Sequence, residues 1–256
     1  MTTSTNPAIA IVTGGSRGLG RNTAVSLAKN GTDVILTYVK NRAAADETVA
    51  EITALGRKAV ALPLDVGNVS TFADFFVAVK NALTETWGAE RFTYLVNNAG
   101  IGKAAPFVET SEADFDELAN VHLKGVFFLT QTLLPLMADG GRIVNLSSGL
   151  TRFSFPGYSA YAAMKGAIEV LTRYLAAELG ARRIAVNTFA PGAIATDFGG
   201  GAVRDNAGIN QHIASITALG RVGLPEDIGP AIASLLSDDN RWINAQRIEA
   251  SGGMML

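Results

Sequence analysis

Thr13-Gly14-Gly15-Ser16-Arg17-Gly18-Leu19-Gly20 joins the short apolar run Ala8–Thr13 to an amphipathic stretch over Thr23–Lys29. The run is short and almost continuously apolar, as a strand is when helices cover both its faces. In the stretch that follows, apolar side chains recur at helical spacing. A strand that enters a helix through glycines at 14, 18 and 20 lets bare backbone N–H groups approach an anion at the helix N-terminus. Such a turn suits the pyrophosphate of a dinucleotide. Its spacing departs from the commoner G-x-G-x-x-G, and glycine-rich turns also serve merely to join strand to helix tightly.

Moving outward, the alternation continues. Asp33–Val39, Ala59–Leu62, Thr93–Asn97, Arg142–Leu146 and Ile184–Thr188 read as further strands, and Thr71–Leu83, Phe115–Met137 and Tyr161–Leu179 as helices between them. Connections of that length between apolar strands predict a parallel sheet in an α/β doubly wound fold. No linker, charge block or short repeat interrupts the pattern, so residues 1–256 are assigned to one domain. Gly199-Gly200-Gly201 opens a weakly patterned stretch to about Leu219, read as a mobile flap over 197–219.

Composition excludes several classes. Hydrophobic residues make up 48% and charged residues 17%, enough for a large core. The net charge of −2, with both signs mixed along the chain, provides no basic stripe for nucleic acid. Absence of cysteine removes disulfides, thiolate nucleophiles and cysteine metal sites, and fits a reducing, cytoplasmic setting. The two histidines, His122 and His212, lack a metal motif. No apolar stretch approaches the ~20 residues of a membrane span, and the N-terminus does not read as a signal peptide.

The glycine loop, Asn97-Asn98-Ala99-Gly100 after the fourth strand and Tyr161-x-x-x-Lys165 together resemble the short-chain dehydrogenase/reductase family. Asp65-Val66, Pro191-Gly192, Leu224-Pro225-Glu226-Asp227 and Ser251-Gly252-Gly253 extend the resemblance nearly end to end. It implies a Rossmann sheet of about seven strands and an oxidoreductase that moves hydride between a nicotinamide and a carbonyl or alcohol. It also implies that Gly14, Ser16, Arg17, Gly18, Leu19 and Gly20 hold the cofactor, that Asp65 and Val66 flank its adenine, and that Asn97, Asn98, Ala99 and Gly100 support the sheet and line the cofactor. Turn residues are the plainer reading of the two asparagines. Ile194, through its backbone, and Thr196, through its hydroxyl, would meet the carboxamide after Pro191-Gly192; Thr196 could equally cap a flap helix.

In NAD-preferring folds of this kind an acid stands near the end of the second strand, whereas here the neighbourhood reads Thr37-Tyr38-Val39-Lys40-Asn41-Arg42. Arg17, Lys40 and Arg42 could pair with a 2′-phosphate that a carboxylate would repel, which favours NADP(H) over NAD(H) and places Tyr38 to Arg42 at the cofactor. The alternative for Lys40 and Arg42 is ordinary solvated charge at a helix start.

A carbonyl accepting hydride needs a proton donor, and a phenol serves best with a cation beside it. Tyr161 and Lys165, four apart on a helix, share a face. Tyr158 has Ala162 at that spacing. Ser148, thirteen residues before Tyr161, is by resemblance the serine that hydrogen-bonds the substrate oxygen, with Ser147 its nearest rival. Where the family usually has a helix-kinking asparagine three residues before a glycine, His122 stands three before Gly125. Two readings stay open: a histidine that holds a relay water or titrates near neutral pH, and one simply packed at a kink.

Phe107, Phe153, Phe155 and Phe198, in segments flanking the catalytic residues, suggest a small hydrophobic ketone or alcohol as substrate, or else pack the flap or a subunit contact. Two rivals remain: an acyl-carrier-protein-dependent 3-oxoacyl reductase, against which Asp139 at Met137–Gly141 would act, and a catalytically silent nucleotide-binding protein. The resemblance also implies a homotetramer, with which the apolar end Met254-Met255-Leu256 agrees.

Overall fold

The computed structural model describes residues 7–256. Its strands are β1 (Ile9–Val12), β2 (Asp33–Tyr38), β3 (Ala59–Pro63), β4 (Phe92–Asn97), β5 (Met137–Leu146), β6 (Ala185–Pro191) and β7 (Arg247–Ala250). Its helices are α1 (Gly18–Lys29), α2 (Arg42–Ala54), α3 (Phe72–Ala82), α4 (Glu112–Ala119), α5 (Gly125–Leu133), α6 (Ser159–Glu178), α7 (Ala202–Asp205), α8 (Ala207–Ser215) and α9 (Pro225–Leu235). All seven strands are parallel, in the order β3-β2-β1-β4-β5-β6-β7. The order reverses between β1 and β4, and a crevice outside the carboxyl ends of strands at such a reversal is where doubly wound sheets bind ligands.

The apolar runs are continuous because both faces are covered. Ile9 and Ile11 face a core built with α3, α5 and α6, including Phe72, Phe75, Val79, Leu129 and Ala176. Ala10 and Val12 face the opposite core, with Ala24 and Leu27 of α1, Ile52 of α2 and Ile232 of α9. A buried polar ladder ties the middle together: the Asn97 amide donates to Asn145 Oδ1 (2.8 Å), and the Asn145 amide to Thr172 Oγ1 (3.0 Å). Asn97 is therefore bound into the sheet, well buried at 4% exposure.

Three expectations are corrected, and the fold of the flap is added to them. The helix expected over Phe115–Met137 is broken into α4, a π-helical turn Asn120–Lys124, α5 and a 3-10 turn Leu134–Leu136 containing Pro135, which has no N–H to donate. β5 starts at Met137 instead of Arg142, because the register slips between Phe92 and Tyr94 and a bulge absorbs the glycines Gly140 and Gly141. The flap folds as α7 and α8 after Gly199, Gly200 and Gly201, all at positive φ. Asp139 lies at the amino end of β5, the opposite edge of the sheet from the crevice, so it has no bearing on carrier recognition. Among the described residues, no helix is long and apolar enough to cross a membrane, and no group of three potential metal ligands occurs.

Candidate active site

The glycine loop, Tyr38–Arg42, Asp65-Val66, Asn98–Gly100, Ser148 and Pro191–Thr196 each lie at or just beyond the carboxyl end of a parallel strand, so the topology brings them to one edge. The glycine loop leaves β1 and enters α1 at Gly18. Arg17, the residue before the helix, is extended and donates no side-chain cap, and the first turn carries no acid, so the N-terminal amides stay open to an anion. The loop is held from behind by two residues that sequence reasoning passed over. The buried Thr13 Oγ1 accepts from the amides of Asn98 (2.9 Å) and Ala99 (3.0 Å), and Thr37 Oγ1 accepts from Gly14 N (3.0 Å). In return the Asn98 amide donates to Thr13 O at 2.8 Å. A Cβ on Gly20 would lie 2.1 Å from Gly14 O, so the first turn of α1 closes against the loop without room for a side chain.

At the end of β2, Tyr38 is buried and Lys40 exposed. Asn41 caps α2, accepting from Ala44 N at 3.0 Å. Arg42 pairs with Asp46 at 3.0 Å, one helical turn on. This local partner gives Arg42 the plainer reading and leaves Arg17 and Lys40 as the cations of this stretch without an ion-pair partner among the described residues. Asp65 Oδ1 accepts from Gly67 N (2.9 Å), and the Val66 carbonyl sits where a Cβ on Gly125 would come, at 2.1 Å, fixing the start of α5 against the β3 loop. Across the crevice, a Cβ on Gly18 would lie 3.7 Å from Thr196 Cβ, so the glycine loop and the Pro191–Thr196 segment form opposing walls. Thr196 Oγ1 accepts from Phe198 N at 3.2 Å, a local turn at the root of the flap rather than a helix cap.

α6 brings Tyr161 and Lys165 to the same face, both buried. Lys165 Nζ lies 5.6 Å from the Tyr161 ring centre and donates to Leu146 O at 2.7 Å, at the end of β5. Burial pushes the Tyr161 phenol above its ordinary value, and the Ser148 hydroxyl opposes that rise. Burial also pulls Lys165 down to about 7. Desolvation is the largest cause of both shifts, and the Lys165 charge is not among the causes acting on the phenol. Ser148 Oγ accepts from Leu150 N (3.2 Å), and Ser147 points the other way, donating to Glu169 Oε1 (2.7 Å). Ser148 therefore is the serine on the tyrosine's side.

His122 sits in the π turn at 1% exposure, edge-on to Tyr161 with ring centres 5.1 Å apart. Its Nε2 lies 2.8 Å from Ile101 O and 3.3 Å from Ile101 N, while Nδ1 is buried without a partner among the described residues. Burial first, then the Lys165 charge, lower its pKa to about 3, so it is neutral at pH 7, the form that can hold a water or simply pack at the turn. The sign of the stability effect follows. Between pH 6.5 and about 3 the unfolded chain binds a proton that the native protein refuses, so acidification through that window destabilises. Urea midpoints should fall between pH 6.5 and pH 4 in the native sequence, and fall less in His122→Asn.

The phenylalanines separate. Phe198 approaches Tyr161, ring centres 5.9 Å apart. Phe153 and Phe155 instead pack on Ile213, Val222 and Met254 beneath the flap, and Phe107 is 82% exposed. Met254 is buried by its own chain, whereas Leu256 is 95% exposed.

Against known proteins, residues 14–255 match a family model described as enoyl-(acyl carrier protein) reductase. A tetrahydroxynaphthalene reductase of Pestalotiopsis fici, PfmaG, is 34% identical over 96% of this chain and 90% of its own. Among solved structures, LugOII, a promiscuous reductase catalysing keto-reduction at C1 in lugdunomycin biosynthesis, superposes with a TM-score of 0.92 at 38% identity, covering 99% of each chain. The landomycin C-6 ketoreductase LanV, solved with bound NADP and rabelomycin, gives 0.89 at 35%, covering 98% of this chain and 97% of that one. The chain belongs to the short-chain dehydrogenase/reductase family of oxidoreductases. Its fold is the single Rossmann-like domain of that family.

Proposed function

We propose that this protein is an NADPH-dependent ketoreductase acting on a hydrophobic, fused-ring aromatic ketone, with Tyr161 as its proton donor. The observation that carries the reading is the buried Tyr161, flanked by Ser148, Lys165 and His122, at the crevice where the sheet order reverses. When bound, the reduced nicotinamide supplies hydride to the carbonyl carbon. Ser148 donates a hydrogen bond to the carbonyl oxygen and orients it. Tyr161 gives its proton to the same oxygen as negative charge develops there. Lys165, anchored on Leu146 O, keeps further donors for a ribose hydroxyl. His122 Nδ1, buried without a partner, hydrogen-bonds a water in the proton path; an unmet buried polar atom would otherwise cost about 1–3 kcal/mol.

The cofactor fits the residues present. Gly15 and Gly20 have no room for a side chain, the α1 N-terminus is free of acids, and no carboxylate directly follows Tyr38 to repel a 2′-phosphate. NADP in LanV agrees with this. Removing one charge-assisted contact costs about 1.5–3 kcal/mol, so Lys40→Ala should lower kcat/KM for NADPH about tenfold to 100-fold while leaving that for NADH within about twofold. Equal loss with both cofactors would place Lys40 outside the site.

The substrate class rests on the relatives, which reduce hydroxynaphthalene and angucycline ketones, and on Phe198 beside Tyr161. Initial rates of NADPH oxidation on polycyclic phenolic ketones, simple alkyl ketones and 3-oxoacyl thioesters separate the readings. The expected order has the polycyclic ketones first. A preference for thioesters would restore the carrier-dependent reading, and binding of NADPH with no turnover on any of them would revive the silent one.

A further inference from the structure

Tyr161, Lys165 and Glu169 follow one another at four-residue intervals on α6 and so share one face of the helix. Each meets the same stretch at the end of β5. Tyr161 faces Ser148, and Lys165 donates to Leu146 O. Glu169 Oε1 accepts from Ser147 Oγ (2.7 Å) and lies 2.7 Å from Thr151 Oγ1. Three rungs therefore join the catalytic helix to the segment that carries the serine. The third is closed from β7: Arg247 Nε donates to Glu169 Oε1 at 2.8 Å, and Nη2 donates to the carbonyl of Ser148 itself at 3.3 Å and to Thr151 Oγ1 at 3.2 Å. The other arm of Arg247 pairs with Glu249 at 2.8 Å, and Glu249 is bound in turn by Arg152 at 2.7 Å.

We propose that Glu169 and Arg247 are positioning residues that set the place of Ser148 relative to Tyr161. Their charges balance, and both are largely shielded, with side-chain exposures of 15% and 25%. Without Glu169, Arg247 keeps only its pairing with Glu249 and loses its tie to α6; without Arg247, the Glu169 carboxylate keeps only the Ser147 and Thr151 hydroxyls, and the tie from β7 to the Ser148 carbonyl is gone. Ser148 lies in the three-residue turn closed by Thr151, so a shift of the turn moves the serine's backbone directly. Proximity effects make this costly, since a displacement of about 1 Å at a reacting centre can lower a rate about 100-fold. The proposal rests on Ser148 and Tyr161 acting as described under Proposed function.

The test uses Glu169→Gln and Thr151→Val, which keep size and shape, beside Arg247→Met, in native and Ser148→Ala backgrounds. The measurements are kcat, KM for ketone, Kd for NADPH and the pH–rate profile. Glu169→Gln and Arg247→Met should each lower kcat about tenfold to 100-fold with Kd for NADPH within about twofold. In the Ser148→Ala background the same changes should cost little more, because the serine they place is gone. The apparent pKa of the phenol should also rise in the variants, as the Ser148 hydroxyl is what holds it down. The charged or titratable groups facing that phenol are Lys165 on α6, His122 on the π turn and Tyr158 just before α6, and none of these is altered.

Full multiplication of the two effects, or an unchanged kcat and pH profile with only a lower Tm, would overturn the proposal. If Arg247→Met does not fold, Glu169→Gln and Thr151→Val decide the matter. Tyr161→Phe separates the two levels: were it fully active, the reading of the site would fail. If it is inactive while Glu169→Gln is normal, the positioning role alone fails.

Discussion

Tyr161→Phe is expected to lower kcat for ketone reduction about 10²- to 10⁴-fold, the span that a positioned proton donor contributes, with NADPH affinity nearly unchanged. The asymmetry follows from what the hydroxyl does. Its ring packs with Met164 and Leu118 and stands edge-on to His122, contacts that phenylalanine keeps. Only the proton donor is lost. Single-turnover rates with saturating NADPH, beside a fluorescence titration of the cofactor, report the two quantities independently. A variant that retained more than a tenth of the native rate would place the proton donor elsewhere, and Ser148 or a water on His122 would be the next candidates.

Gly20→Ala is expected to raise Kd for NADPH at least about 100-fold and to lower Tm. The new methyl carbon would lie 2.1 Å from Gly14 O and 2.5 Å from Asn98 Nδ2, so either α1 withdraws or the loop opens. Either response also breaks the Asn98 bond to Thr13 O that holds the loop to β4. Overpacking of this kind commonly costs about 1–3 kcal/mol, before any loss of binding is counted. Gly166→Ala is the matched control. A Cβ there meets nothing within 4 Å, and the substitution inside α6 should stabilise by about 0.5–1 kcal/mol. Equal behaviour of the two variants would show that the loop tolerates a side chain.

Much of the architecture could be read before the structure because its causes are local. β1 is apolar on both faces, and the glycine loop, Asn97–Gly100 and Tyr161-x-x-x-Lys165 each sit at a strand end or on one helix face. What escaped is set by long-range packing. α9 carries Gly229 and Pro230 in its interior, poor helix formers, and Gly229 is where it closes on Asn22 of α1. The π turn at Asn120–Lys124 depends on how Gly125 meets the Val66 carbonyl, which no helical periodicity encodes. The four phenylalanines looked alike in sequence, and only contacts separate Phe198 beside Tyr161 from Phe153 and Phe155 under the flap. Spacing told that Tyr161 and Lys165 share a face, but not that burial would be the largest cause of both shifts, since depth depends on everything packed over α6.

The flap leaves and rejoins the domain at nearly one point. Ile194 bridges Gly223, with Ala195 N donating to Gly223 O at 2.9 Å and Gly223 N to Ala193 O at 3.0 Å. An excursion whose two ends are stitched side by side behaves as a cassette. Residues 195–222 could be transplanted between ketoreductases of this family without stretching the recipient backbone. Chimeras of that design offer a direct way to exchange the wall over Tyr161 while the recipient's glycine loop and acid-base helix stay intact.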